Sequence, residues 1–327
     1  MGNNGHSGAS ILGRQDKGVR RKGFVALANS LRKAKTQSLA STTWSAWMLT
    51  LPALLFITMF VFLPAIYVVY LSFFKWNLLS VHMKFVAFTN YVQLFISPDF
   101  RQSLMNTVVF TAGMLFFSLP LGLWLAVLLN RKLRGTHFYR TVLFSPYVIP
   151  LVGSGLVWTL LYSKDYGLVN MALSWFHIHG PDWLGSPGYA LVAVVIMSVW
   201  QYTGYYMLIF LAGLQSVPDA LKEAAAVDGA QRWQVFRSVT LPSLAPSIVF
   251  AVIVCSIQSF QVFDQVYVMT GGGPDNATST LVYYIYNEGF QMFNIGRATA
   301  ASVILLVLLS LLTLVQVKMS NKWVVEE

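Results

Sequence analysis

Gln258, Gln261 and Gln265 recur at helical spacing within an otherwise apolar run that also carries Ser256, Ser259 and Asp264. In a helix, steps of three and four residues put these amides on one face. An earlier apolar run offers Gln201, Tyr202, Tyr205 and Tyr206. Polar side chains inside an apolar span face the protein interior or a cavity. Amides and carboxylates hydrogen-bond hydroxyl groups, and aromatic rings pack on the apolar faces of pyranoses. Gln201, Tyr202, Tyr205, Gln258, Gln261, Asp264 and Gln265 are therefore the candidate contacts for a sugar-like ligand. The same amides serve equally well as glue between helices. Asp264 is the one carboxylate in these runs, about 17 residues along its own, and at 1.5 Å per residue it falls near the end.

Other chemistries find little support. The five histidines (His6, His82, His137, His177, His179) are scattered over tails and loops, and the His177-Ile178-His179 pair is too sparse for a metal site. The apolar runs contain no Cys/His cluster, nucleophile elbow or carboxylate pair, so no catalytic or metal-ligating residue is assigned. Cys255 is the single cysteine and cannot form an intrachain disulfide. No G-x-x-x-x-G-K-[ST] occurs, so the chain has no phosphate-cradling loop of its own. The Gly-rich segment Thr270–Thr278, TGGGPDNAT, lacks the lysine and reads as a turn.

The elements that must position these groups are membrane helices. The chain is 56% hydrophobic and 10% charged, with mean hydropathy +0.60, whereas soluble domains carry about a quarter charged residues. About 20 apolar residues cross a bilayer as a helix. Six segments qualify, at 47–74, 104–129, 141–162, 189–214, 247–269 and 296–317. The first is about twice as long as the core of a signal peptide, which predicts a retained span. Prolines 52, 64, 120 and 150 lie inside or at the ends of spans, where neighbouring helices satisfy the freed carbonyls.

Charge sets the orientation. Eight Lys and Arg precede the first span, four lie in 130–140, three in 215–246 and two in the C-terminal tail. The alternate loops hold only Lys75, Lys84, Arg101 and Lys164, and Arg297 sits at a boundary. The positive-inside rule therefore predicts both termini and the 215–246 loop in the cytoplasm. This asymmetry also accounts for the net charge of +10 without nucleic acid. Residues 19–35 suit either an interfacial helix on anionic lipid or a basic tail that fixes orientation.

One loop between spans is too elaborate for a connection. Residues 223–242 read EAAAVDGAQRWQVFRSVTLP. Ser216 is expected to cap a helix with Pro218 and Asp219 in its first turn. Ala224, Ala225 and Ala226 favour helix and leave its surface smooth. Asp228-Gly229 is expected to stop it, since Gly accepts a left-handed C-terminal cap. A second helix should place Trp233, Phe236 and Val239 on one face and end at Leu241-Pro242.

This loop resembles the coupling loop of ABC importer permeases, of the type I, binding-protein-dependent kind. Glu223, Ala224, Ala225, Asp228, Gly229, Ala230, Phe236, Leu241 and Pro242 fill the family pattern. Residues 104–170 are similar too, through SLMNTVVF, LPLGLWLAVLLNRKLRG, FYRTVLFSPYVIP, Trp158 and GLVN, and TGGGPDNAT is typical of the carbohydrate branch and of the larger member of its permease pairs. The family usually has Gly where this chain has Ala87, which puts that turn in question, and Leu where it has Ser145.

The resemblance implies an all-α integral membrane fold of six transmembrane helices with a cytoplasmic helix–turn–helix, in a bacterial inner membrane. The resemblance covers about residues 50–317 and leaves the basic tail (1–44) unexplained; it implies a first helix and outer loop (45–103) and a permease core (104–317, coupling loop 216–243), followed by a C-terminal tail (318–327). It also implies a second permease, two ATPase subunits that bind ATP and Mg, and an extracytoplasmic substrate-binding protein. This chain would bind no cofactor itself. The carbohydrate branch also moves cargo such as glycerol phosphate. An ion-coupled secondary transporter is the other reading, but it expects ionisable groups at mid-span and no docking loop.

Overall fold

The computed structural model describes residues 47–79, 82–131 and 135–320. The basic tail with residues 19–35, Lys132 and Arg134, and the end of the C-terminal tail from Asn321 lie outside the described residues. The chain divides into two units, Met1–Tyr67 and Val68–Glu327.

The described part of the first unit belongs to helix α1, Trp47–Leu71, whose last turn lies in the second unit. It exposes Leu49, Leu55, Phe56, Met59 and Phe60, a surface suited to lipid.

The second unit opens with a hairpin of β1 (Phe74–Lys75) and β2 (Lys84–Phe85), with Phe74 opposite Phe85. Ala87 follows with φ of 48°. The turn has the left-handed backbone for which glycine is suited. An L-residue there carries about 1 kcal/mol of strain. Ala87→Gly is therefore expected to raise the midpoint of a thermal unfolding scan in detergent, by a stability gain of about 1 kcal/mol or less. An unchanged or lower midpoint would show that the turn is unstrained.

Helix α2 (Thr89–Ile96) leads into the long α3 (Pro98–Leu129), which carries a π turn at Met114–Ser118. Ser97 caps α3 through a bond from Phe100 N, and Pro98 follows in its first turn. Next come α4 (Thr136–Val148), α5 (Leu151–Leu161), α6 (Leu168–Trp175) and α7 (Pro187–Ser216), the last an unbroken 30 residues. The loop helices are α8 (Asp219–Val227) and α9 (Arg232–Ser243). They precede α10 (Ala245–Phe260), α11 (Asp264–Met269), α12 (Leu281–Tyr286) and α13 (Ile295–Ser320).

Among the described residues, four single helices are long and apolar enough to cross a membrane, namely α1, α3, α7 and α13, and the count rises to six if each of two bent pairs is one span. The four agree with the expected segments. The other two correct them. The expected span 141–162 is broken between α4 and α5 by 94°. Ile149, before Pro150, takes extended backbone (ψ 134°), as a proline imposes on its predecessor. The expected span 247–269 ends at Phe260, and its helical partner on the other side is α9, bent from α10 by 63°. Gln258, Gln261 and Gln265 therefore do not share a continuous helix face.

Within the second unit, the C-terminal half of α3 lies along α7, and α4 crosses α7. Helix α10 packs on α3, α7 and α13, α11 packs on α5, and α12 packs on α13 and α3. Apolar burial drives helices together weakly in lipid, so close approach and hydrogen bonds matter more. Gly204 shows this: a Cβ there would collide with Leu143 O, so only glycine lets α4 cross α7 at this depth. Ser118 Oγ and Thr203 Oγ1 bond across the α3–α7 contact at 3.3 Å. Around them Phe110, Met114, Tyr206, Met207 and Phe210 form the main core.

Candidate functional site

The loop over residues 216–243 is built from strong local signals. Asp219 sits in the first turn of α8, where negative charge meets the helix N-terminus, and pairs with Lys222 at 3.0 Å. The cap differs from expectation. Ser216 is the last residue of α7, its hydroxyl donating to Gly213 O at 2.8 Å, and Pro218 stands at the N-cap of α8. The serine is consumed by the preceding helix because α7 runs two residues further than its apolar pattern.

At the other end, Gly229 adopts φ of 83°. Its N–H donates to Ala226 O at 3.1 Å, and the Ala230 N–H to Ala225 O at 3.0 Å. This is a Schellman closure, with glycine in the left-handed position. Glu223, Ala224, Ala226, Asp228 and Gly229 are exposed, while Ala225 and Ala230 are half-buried. No ion-pair partner of Glu223 is found among the described residues.

In α9 the Gln231 N–H donates to Gln234 Oε1 at 2.7 Å, and Trp233 stacks on Phe236 at 5.7 Å. Leu241-Pro242 does not end this helix. A π turn over Phe236–Thr240 puts Pro242 in the first turn of the following helical segment, where its missing N–H is harmless, and the helix continues to Ser243. The break comes at Leu244, a fully buried residue. Phe236 and Leu241 are half-buried and Pro242 is exposed. Val227 is 87% exposed and Trp233 67%, large apolar groups beside the alanine face. Exposed apolar patches of this kind mark protein or membrane contact sites. Val227 was not singled out from sequence, although a valine ending an alanine-rich loop helix is the signal that finds it.

Five of the seven proposed ligand contacts converge. Tyr202, Gln258, Gln261, Asp264 and Gln265 line one cavity of about 90 Å³, together with Tyr206. The break after Phe260 makes this possible, because it turns Gln261 and Asp264 toward the space that Gln258 already faces. The Tyr206 hydroxyl donates to Gln258 Oε1 at 3.0 Å. Phe110 and Met114 of α3, Leu151 of α5, Val262 and Phe263 supply the apolar wall. Sequence reading missed these five because they look like ordinary core residues.

The other two stand apart. Gln201 is 1% exposed and does not line the cavity. Its Nε2 donates to Ile149 O and to Pro146 O at the α4–α5 break, the latter also accepting from Ile149 N. Tyr205 stacks on Tyr147 at 4.6 Å, also away from the cavity lining.

The segment Thr270–Thr278 is a turn, as expected, and it is tied into the fold. Asn106 Nδ2 donates to Asn276 O and Ser279 O, each at 2.9 Å, and Ser103 Oγ bonds Ser279 Oγ at 2.9 Å. Leu281 N donates to Thr107 Oγ1 at 2.8 Å, and Thr280 Oγ1 to Val262 O at 2.9 Å. These bonds fix the backbone at the cavity wall. Close by, burial and then Tyr286 push the Tyr283 phenol up from its ordinary range, which keeps it neutral.

Residues 118–325, which hold both the loop and most of the cavity wall, match the family described as the binding-protein-dependent transport system inner membrane component. The chain belongs to that family. Among relatives of this permease family, the trehalose/maltose transport system permease protein MalF of Thermococcus litoralis is 34% identical over 275 residues, covering 84% of this chain and 93% of its own. The sn-glycerol-3-phosphate transport system permease protein UgpA of Yersinia pestis is 35% identical over 282 residues, covering 84% and 94%. A solved bacterial ABC transporter involved in import of the acidic polysaccharide alginate includes a chain 25% identical, with TM-score 0.75, covering 86% of this permease and 96% of that chain.

Proposed function

We propose that this chain is one of two permeases in an ATP-driven importer of sugars or oligosaccharides in a bacterial inner membrane. It forms the pathway with a second permease and takes cargo from an extracytoplasmic binding protein. Two ATPase subunits hold ATP and Mg and drive it. The observation that carries this reading is the pairing of an exposed, rigid docking loop with a cavity of amides, a carboxylate and aromatic rings in one chain.

Each bent pair counts as one span in this reading, which gives six, and the distribution of Lys and Arg favours cytoplasmic termini. Glu223, Ala224, Ala225, Asp228, Gly229 and Ala230 form the docking face or its closure, and Phe236, Leu241 and Pro242 brace it. Relatives named for sugars support carbohydrate cargo. A relative named for glycerol phosphate supports the second reading, an anionic polyol. The cavity favours the first. Among the described residues its lining includes Asp264 and no Lys or Arg, a poor match for a phosphate.

Proteoliposomes test the division of labour. Carbohydrate uptake is expected only when this chain is reconstituted with the second permease, the ATPase subunits, binding protein and ATP. Uptake by the chain alone under a proton or sodium gradient would overturn the reading in favour of a secondary transporter.

A further inference from the structure

Phe263, at the cavity wall, leads into a connected set of rings. Its ring centroid lies 5.3 Å from Tyr267 and 5.1 Å from Tyr286. Tyr286 in turn stacks on Phe290 at 5.5 Å with planes 26° apart. Tyr283 lies 6.4 Å from both Phe263 and Tyr286. The rings come from α11 and α12 and the turn after α12, joined by the tied Gly-rich segment. Their orientation is held by hydrogen bonds: the Tyr283 hydroxyl donates to Gly271 O at 2.6 Å, and Gln291 Nε2 donates to the Tyr286 hydroxyl at 3.1 Å.

Tyr283 packs against the main core, Phe263 and Tyr286 are half-buried, and the outer two rings open to the surface. Tyr267 is 48% exposed and Phe290 67%. Exposed Gln261, Asp264 and Gln291 lie beside them in sequence and rim the surface with hydrogen-bonding groups. Preset rings with a polar rim match the two-sided chemistry of a pyranose, whose C–H face is apolar and whose edge carries hydroxyls. The cavity itself is small. Ligand pockets for drug-sized molecules run from about 300 Å³ upward, and this one is about 90 Å³.

We infer that Phe263, Tyr267, Tyr283, Tyr286 and Phe290 form a carbohydrate-binding track that continues from the cavity and stacks the sugar units of an oligosaccharide that the cavity cannot hold. The inference rests on the carbohydrate reading above and deepens it, since it assigns the cargo a length.

The test uses the complete importer in proteoliposomes, with neutral saccharides from mono- to pentasaccharide as probes. Phe290→Ala and Tyr267→Ala act at exposed positions, so the fold should survive. Each variant is expected to raise KM for the longer imported members by about threefold to tenfold, leave the shortest imported member unaffected, and be rescued by Phe290→Trp or Tyr267→Phe. Unchanged KM at every length overturns the track. An equal loss at all lengths also overturns it, and with loss of the second permease on purification it makes the rings a subunit contact. If the wild-type importer moves no member of the panel, the carbohydrate reading itself fails, and that result is distinct from either outcome.

Discussion

Gly229→Asp is expected to abolish uptake while the chain still inserts and co-purifies with the second permease. The space around Gly229 is open: a Cβ there meets nothing within 4 Å. The fold of this chain therefore has room for the new side chain. Its left-handed backbone costs an L-residue about 1 kcal/mol, and Asp tolerates that conformation better than most. The large penalty falls on the docked state. The carboxylate would stand beside Asp228 in the middle of a small-residue contact face, where a buried unpaired charge costs about 2–5 kcal/mol. That loss is about thirtyfold or more in docking. Gly229→Ala carries only the backbone cost and is expected to retain a substantial part of the activity. The measurements are uptake, substrate-stimulated ATP hydrolysis and recovery of ATPase subunits on purification. Normal uptake by the Asp variant would remove this loop from coupling.

The second large effect lies at the cavity. Gln258→Leu with Gln261→Leu is expected to lower carbohydrate uptake by about tenfold or more, since each lost hydrogen bond is worth about 1 kcal/mol. The two positions differ in kind. Gln258 accepts the hydroxyl of Tyr206, a residue with no exposure, so its loss also strands a buried donor. Gln261 is exposed, so Gln261→Leu alone isolates the contribution of cargo contact. A double variant that assembles and transports normally would make both amides helix glue.

Long, uninterrupted patterns were legible in the sequence. Helices α7 and α13 were expected within three residues of their ends because apolar residues run through them without a break. The closure of α8 was legible because Asp228-Gly229 is a local signal whose geometry needs no distant partner. The breaks were harder to read. Whether Pro150 kinks a span or ends it depends on what receives the carbonyls of Pro146 and Ile149, and Gln201, some fifty residues away, supplies that donor. The turn after Phe260 carries no proline or glycine. It is held by Thr280, whose hydroxyl bonds Val262 O. The cavity was therefore found in its polar residues and missed in its shape. The aromatic track escaped because its members come from separate elements that distant bonds hold together, among them Thr280 to Val262 O and Tyr283 to Gly271 O.

Helix α7 has a mechanical consequence. After Pro187 in its first turn, it runs to Ser216 as one α-helix with no further proline and no π turn. Tyr206 contributes to the cavity wall, and Ser216 is the last residue before the link to the docking helix. Ten residues of helix separate them, about 15 Å. Along that length there is no joint to absorb motion, whereas the neighbouring spans are jointed at Ile149 and Leu244. In the proposed importer, a load applied at the 216–243 loop would be carried to the cavity wall by α7 as by a push-rod, past neighbours that are bent at Ile149 and Leu244.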